Sequence, residues 1–163
     1  MVITLEYIRS SRDQGFTLIE LMIVVLILAV LLGLGLPSFR SFIVDQRYRS
    51  TSADLRIALM TARSEAVKRN VAISVTPTTD GDWTTGWQII DPASGDPDIL
   101  NHVLSGANDL TITTLPESAT PRFLPSGRVA SGLRFVLSVG SGAATKSGCL
   151  KLEVGGYATD EGC

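Results

Sequence analysis

One carboxylate stands alone in the most apolar stretch of the chain. Residues 16–36 read FTLIELMIVVLILAVLLGLGL, and Glu20 is the only charge among those twenty-one residues. An acid in such a run is costly and by default marks a function that requires a partner. Nothing else in the run ionises. A break in the chain after Gly15, however, would free an α-amine on Phe16, a cation about one helical turn from Glu20. That amine could neutralise Glu20 within one subunit or between neighbours packed side by side.

The rest of the chain offers little for catalysis. His102 is the only histidine and sits in a strand-like run, Asn101-His102-Val103-Leu104, where a surface strand position is expected. There is no Gly-Lys-Ser/Thr phosphate loop, no His-Glu-x-x-His, and a Ser-His-Asp order carries no meaning with one histidine. The head carboxylates Asp80, Asp82, Asp91, Asp96 and Asp98 cluster in turns, where short acceptors bond the backbone. Oxygen ligands are dense over 91–98, but without the order of an EF-hand. No enzyme activity, resident metal or cofactor is expected. The two cysteines, Cys149 and Cys163, have thirteen residues between them. With no third cysteine, zinc is excluded in practice, and in an exported head a disulfide is the natural pairing. Two free buried thiols are the alternative.

These residues need elements to position them. The 16–36 run is long enough to span a bilayer as a helix. Unlike a secretory signal, it follows a polar leader, 1–15, with Arg9 and Arg12, and continues into further helical sequence. An uncleaved anchor is the plain reading, and Glu20 is what it leaves unexplained. Gly33, Gly35 and Pro37 weaken the helix locally, so a kink or melted stretch is expected near Pro37. Beyond it Leu55, Leu59, Ala62 and Ala66 recur at spacings of four, three and four, which marks one apolar helix face. Glu65 and Arg69 form a favourable i,i+4 pair, and Asn70 is a stop. One helix is therefore predicted from about Phe16 to Arg69. Charge divides along the chain. Residues 40–69 hold seven basic against three acidic side chains, and 70–163 hold five against ten. A basic stem after an apolar anchor suits anionic lipid headgroups or an acidic neighbour; a solvated helix face is the alternative.

Gly15-Phe16-Thr17-Leu18-Ile19-Glu20 is similar to the class III signal of type IV pilins and type II secretion pseudopilins. The resemblance implies that a prepilin peptidase cleaves between Gly15 and Phe16 and methylates the new N-terminus on Phe16. It also implies that Glu20 pairs with the N-terminal amine of a neighbouring subunit during assembly. Pro37 fits the same pattern.

After Asn70 the sequence turns to short β-rich runs at 72–76, 86–91, 99–104, 110–115, 122–124, 133–139, 149–154 and 157–159. Turn signals separate them, among them Asp80-Gly81, Ser126-Gly127 and the 140–148 stretch. No helix intervenes, so the sheet should be mainly antiparallel, with the stem helix covering one sheet face. The fold class is α+β: a leader, 1–15; an apolar anchor half, 16–36; an amphipathic stem half, 37–70; and a β-rich head, 71–163.

Ala62-Arg63-Ser64-Glu65-Ala66, Asp82-Trp83…Gly86-Trp87 and Phe123-Leu124-Pro125-Ser126-Gly127-Arg128 look like the GspH/FimT class of minor pilins and pseudopilins. The class implies a structural subunit, held in the inner membrane with its head in the periplasm and later built into a pilus. Its partners would be the prepilin peptidase, other pilins through the N-terminal helix, and inner-membrane lipid. A type II secretion pseudopilin is the first rival. The second is a DNA-uptake receptor, because some FimT-like proteins carry a Gly-Arg-x-Arg motif. Here Gly127-Arg128-Val129-Ala130 keeps only its first arginine. Arg122, Arg128, Arg134, Lys146 and Lys151 could gather into a weak patch, but a turn-ordering role for Arg128 is favoured over DNA.

Overall fold

A single helix carries more than a third of the described chain. The computed structural model describes residues 15–90, 92, 97–104, 109–142 and 144–163, without the side chains at 34–38, 97 and 98. In it α1 spans Leu18–Arg69. The predicted start and stop hold to within two residues. Lys68 and Arg69 lie in the last turn, where cations complement the helix dipole, and Asn70 takes the left-handed conformation (φ 55°) that ends many helices. The helix continues through Gly33, Gly35 and Pro37 without a melted stretch.

The chain divides into two compact units, Met1–Ser38 and Phe39–Cys163. In the first, the described side chains from Leu18 to Leu32 are exposed, and the helix shows no buried face. Among the described residues no helix is long and apolar enough to cross a membrane. The side chains described in the apolar run end at Gly33, short of the full 16–36 segment.

The second unit has the two-faced helix that the apolar spacing predicts. Leu55, Ala58, Leu59, Ala62 and Ala66 are buried, and they share one core with both sheets. The strands are β1 (Ile73–Thr79), β2 (Asp82–Ile90), β3 (Pro97–Val103), β4 (Leu110–Leu115), β5 (Arg122–Phe123), β6 (Leu133–Ser141), β7 (Ala144–Leu152) and β8 (Ala158–Glu161). All their pairings are antiparallel. They do not make the single sheet expected, but two of four strands, ordered β3-β2-β1-β5 and β4-β6-β7-β8. Alternation along β6 explains the second layer. Leu133, Phe135, Leu137 and Val139 all point inward, giving it an apolar face of its own to bury. Trp83 of β2 meets Phe135 of β6 edge to face, with ring centroids 5.0 Å apart, so the two sheets touch through large aromatic surfaces.

Two strand boundaries depart by four residues or more from the sequence reading. β2 begins at Asp82, four residues before Gly86, because Thr84 and Thr85 extend the hairpin closed by Asp80-Gly81. The glycine- and serine-rich stretch 140–148, expected as a turn, is mostly the start of β7, paired with β6 from Ala144 onward. Gly148 shows why small residues are used there. Any side chain at that position would run into the Tyr48 hydroxyl, so the strand stays bare where the stem helix comes close.

Candidate functional site

The residues around the expected cleavage point form the start of α1. Gly15, Phe16 and Thr17 lie outside the helix, and Leu18 is its first residue. Thr17 is the cap. Its carbonyl accepts the first helical bond, from the Leu21 N–H at 3.2 Å, and its Oγ1 accepts from the Glu20 N–H at 3.3 Å. Glu20 reaches back, its Oε2 accepting from the Thr17 N–H at 3.5 Å. This is a reciprocal capping box, in which two otherwise unpaired donors of the first turn are satisfied. The negative carboxylate also sits at the positive end of the helix dipole. The sequence reading missed this second task of Glu20, although Thr17-Leu18-Ile19-Glu20 carries the Thr-x-x-Glu signature.

The geometry matters for the chemistry expected here. The Phe16 nitrogen precedes the Thr17 nitrogen by one residue, roughly 4 Å along the chain. A carboxylate that already reaches the Thr17 N–H is therefore beside the position of any amine released on Phe16. Phe16 itself is 81% exposed, and Gly15 and Glu20 are exposed. A peptidase needs an extended, accessible peptide, and the Gly15–Phe16 bond lies outside helical structure. Residues 1–14 of the leader lie outside the described residues.

In the head, Cys149 and Cys163 form a disulfide with Cα atoms 5.2 Å apart, and neither is left as a free thiol. The bond pins β8 to β7. From β8, Asp160 reaches the stem, in an ion pair with Arg56 and accepting from the Ser52 hydroxyl at 3.5 Å. Burial raises the Tyr48 pKa, with the Asp160 charge adding to the effect. A hydrogen bond from Arg63, whose guanidinium stacks 3.9 Å over the ring, lowers that of Tyr157.

The five basic residues considered for DNA are dispersed. Arg134 and Lys151 are cross-strand partners, and Glu161 pairs with both, at 3.1 and 3.9 Å. Lys151 is also held by Glu153 at 2.7 Å, which raises its pKa. Lys146, at the other end of β7, pairs with Asp45 at 3.5 Å. Arg122 lies in the other sheet. Arg128 closes a turn with its backbone, its carbonyl accepting from the Leu124 N–H at 2.8 Å while Gly127 supplies the positive φ.

His102 is not the plain surface residue expected. It is half-buried and stacked on Trp87, ring centroids 4.7 Å apart, with Nε2 3.8 Å from Asp54 Oδ2. Among the described residues no group of three or more His, Cys, Asp or Glu could hold a metal ion. The oxygen-rich 91–98 segment lies largely outside them.

A capped, acid-bearing helix start behind Gly-Phe, continuing into a stem packed on an antiparallel head, defines the type IV pilin-like class of subunit. Within that class the chain belongs to the GspH family, described as Type II transport protein GspH, which matches residues 51–156. Residues 10–36 match the prokaryotic N-terminal methylation motif. The chain is 33% identical over 106 residues to the type IV major fimbrial protein FimA of Dichelobacter nodosus, covering 61% of this chain and 68% of that one. Its fold is similar to a crystal structure of the type IV minor pilin FimU of Pseudomonas aeruginosa PAO1. That match has a TM-score of 0.61 and 25% identity, over 74% of this chain and 92% of the other. A second crystal form of FimU matches with a TM-score of 0.56 at 24% identity, over 69% and 91%. The chain is thus a subunit of the pilin and pseudopilin kind, families that are structural.

Proposed function

We propose that the chain is a minor pilin, cleaved between Gly15 and Phe16, methylated on Phe16 and inserted beside other pilins in the priming or tip complex of a type IV pilus. The observation that carries this reading is the position of Glu20, one turn into a helix that begins two residues after Phe16. Before cleavage the carboxylate is held by its own helix cap. After cleavage a cation appears within its reach, in the same subunit or in the neighbour. Packing of apolar stems supplies the association energy, and the Glu20–amine pair sets axial register. The 16–36 segment acts as the inner-membrane anchor until assembly, with the head in the periplasm, and Pro37 marks the point where the helix is free to bend. The likeness to FimU favours a pilus; the family description keeps a type II secretion pseudopilin as the rival.

Mass spectrometry of the mature protein tests the processing. An N-methylated Phe16 is expected, and an intact Met1 overturns it. Glu20→Ala should remain in the membrane at normal levels yet drop out of sheared pili. Normal incorporation of that variant would refute the register role. Co-purification with pilus or secretion subunits separates the two machines. A DNA-uptake role is disfavoured because the five basic residues are dispersed over both sheets and a turn; absence of a salt-sensitive gel shift would close that reading.

A further inference from the structure

The stem helix has a second face that the head does not cover. Ala53, Ile57, Met60, Ser64 and Val67 are exposed and recur at spacings of four, three, four and three. That is the a/d seam of a heptad repeat, lying opposite the buried Leu55–Ala66 face. Ile57, Met60 and Val67 are 56%, 61% and 52% exposed. The flanking positions are strongly biased in charge. Arg49, Arg56 and Arg63 fall seven residues apart on one side of the seam; Arg47 and Lys68, with Asp54 between them, fall on the other. In helix pairs, the residues flanking the seam set the partner and its orientation.

We propose that this face docks an α-helix with acidic flanks from a different chain, and that it discriminates against a second copy of itself. The seam spacing specifies a helix as occupant. The charge specifies which kind. Two antiparallel copies would set the arginine rows against each other. Two parallel copies in register would offset one attraction, Arg49 with Asp54, by one repulsion, Arg63 with Lys68. Glutamates on a partner would meet five cations. Each of those cations has a partner within the subunit: Arg49 bonds Asp45, Arg47 bonds Asp109, Arg56 bonds Asp160 and Lys68 bonds Glu65, and Arg63 lies on the Tyr157 ring. Exposed pairs of this kind exchange readily. A lipid surface fits less well, because the cations run about 32 Å along the helix axis and would meet headgroups together only if the stem lay flat.

The inference rests on the pilin reading, in which stems pack side by side, and adds what kind of stem is accepted. It is tested with the full chain in phosphatidylcholine nanodiscs and two synthetic helical peptides with leucine seams, one flanked by glutamate and one by lysine. The glutamate peptide should bind at least about tenfold more tightly, and added salt should erase the difference. Ile57→Asp should weaken binding of the glutamate peptide, and Arg49→Glu with Arg63→Glu should shift preference toward the lysine peptide while circular dichroism stays unchanged. Equal binding of both peptides, or of neither, overturns the proposal. So do disulfide-linked homodimers formed through Met60→Cys on this face, or loss of peptide binding when phosphatidylglycerol is added to the nanodiscs. N-methylation of Phe16 decides the pilin reading separately, so a methylated chain indifferent to both peptides sinks this inference alone.

Discussion

The two halves of α1 are built from the same kind of apolar residue and put it to different uses. From Leu18 to Leu32 the large apolar side chains are all roughly half exposed or more, with no sidedness. From Thr51 to Ala66 the helix alternates between a face sealed against the sheets and a face open to solvent. A helix apolar all round has no preferred neighbour within its own chain, whereas a striped helix has one. The first half is therefore available for environments outside the subunit, and the second half binds the helix to its own head.

Matched substitutions break or sharpen that contrast. Leu59→Ala should cost the head about 2–5 kcal/mol, because Leu59 is buried and its loss leaves a cavity. Leu28→Ala, chemically the same change, should leave head unfolding unaltered. Denaturation followed by tryptophan fluorescence checks both, since Trp83 and Trp87 lie in the core. Equal losses would mean the halves are not energetically distinct. Cys163→Ser should cost roughly 3 kcal/mol in the chain-entropy model, again read as a lowered midpoint. Thr17→Ala should cost about 1 kcal/mol, confined to the helix start, and appear as faster amide exchange at Leu18–Leu21 with no change in the head.

The smallest effect is acid sensitivity. Hydrogen bonds from Arg69, Arg49 and Thr84 hold the carboxyls of Glu65, Asp45 and Asp82 below their ordinary pKa. A carboxyl depressed in the folded state adds stability above its unfolded pKa and loses it as pH falls through the folded value. Head stability should therefore be flat near neutrality and decline below about pH 4. A rise in stability on acidification would contradict these pairings.

Much of this was legible in the sequence because periodicity and punctuation are local. Leu55, Leu59, Ala62 and Ala66 announce the buried face, Asn70 the stop, and Leu110–Leu115 a strand recovered at both ends. The split into two sheets was not legible. It depends on which strands pair, a long-range choice that the apolar alternation of β6 permits without dictating. The 140–148 stretch misled for a related reason: its Gly148 answers to Tyr48, distant in sequence. At the helix start the motif named Glu20 as a partner-seeking acid. The Thr17 cap adds that the acid is already occupied in the uncut chain.

The closing strand β8 has a bearing on how subunits of this class avoid joining wrongly. It is an outer strand of its sheet, and its exposed end is Thr159-Asp160-Glu161, two acids on the edge. The other sheet ends in β5, only two residues long. A free edge of unpaired backbone groups invites another strand to add on, and short or charged edges resist it. In a protein destined for ordered stacking, strand addition would compete with the intended geometry and lead to tangled aggregates. By stapling an acidic strand at the edge of one sheet and truncating the edge strand of the other, the head blunts one edge of each sheet against strand addition.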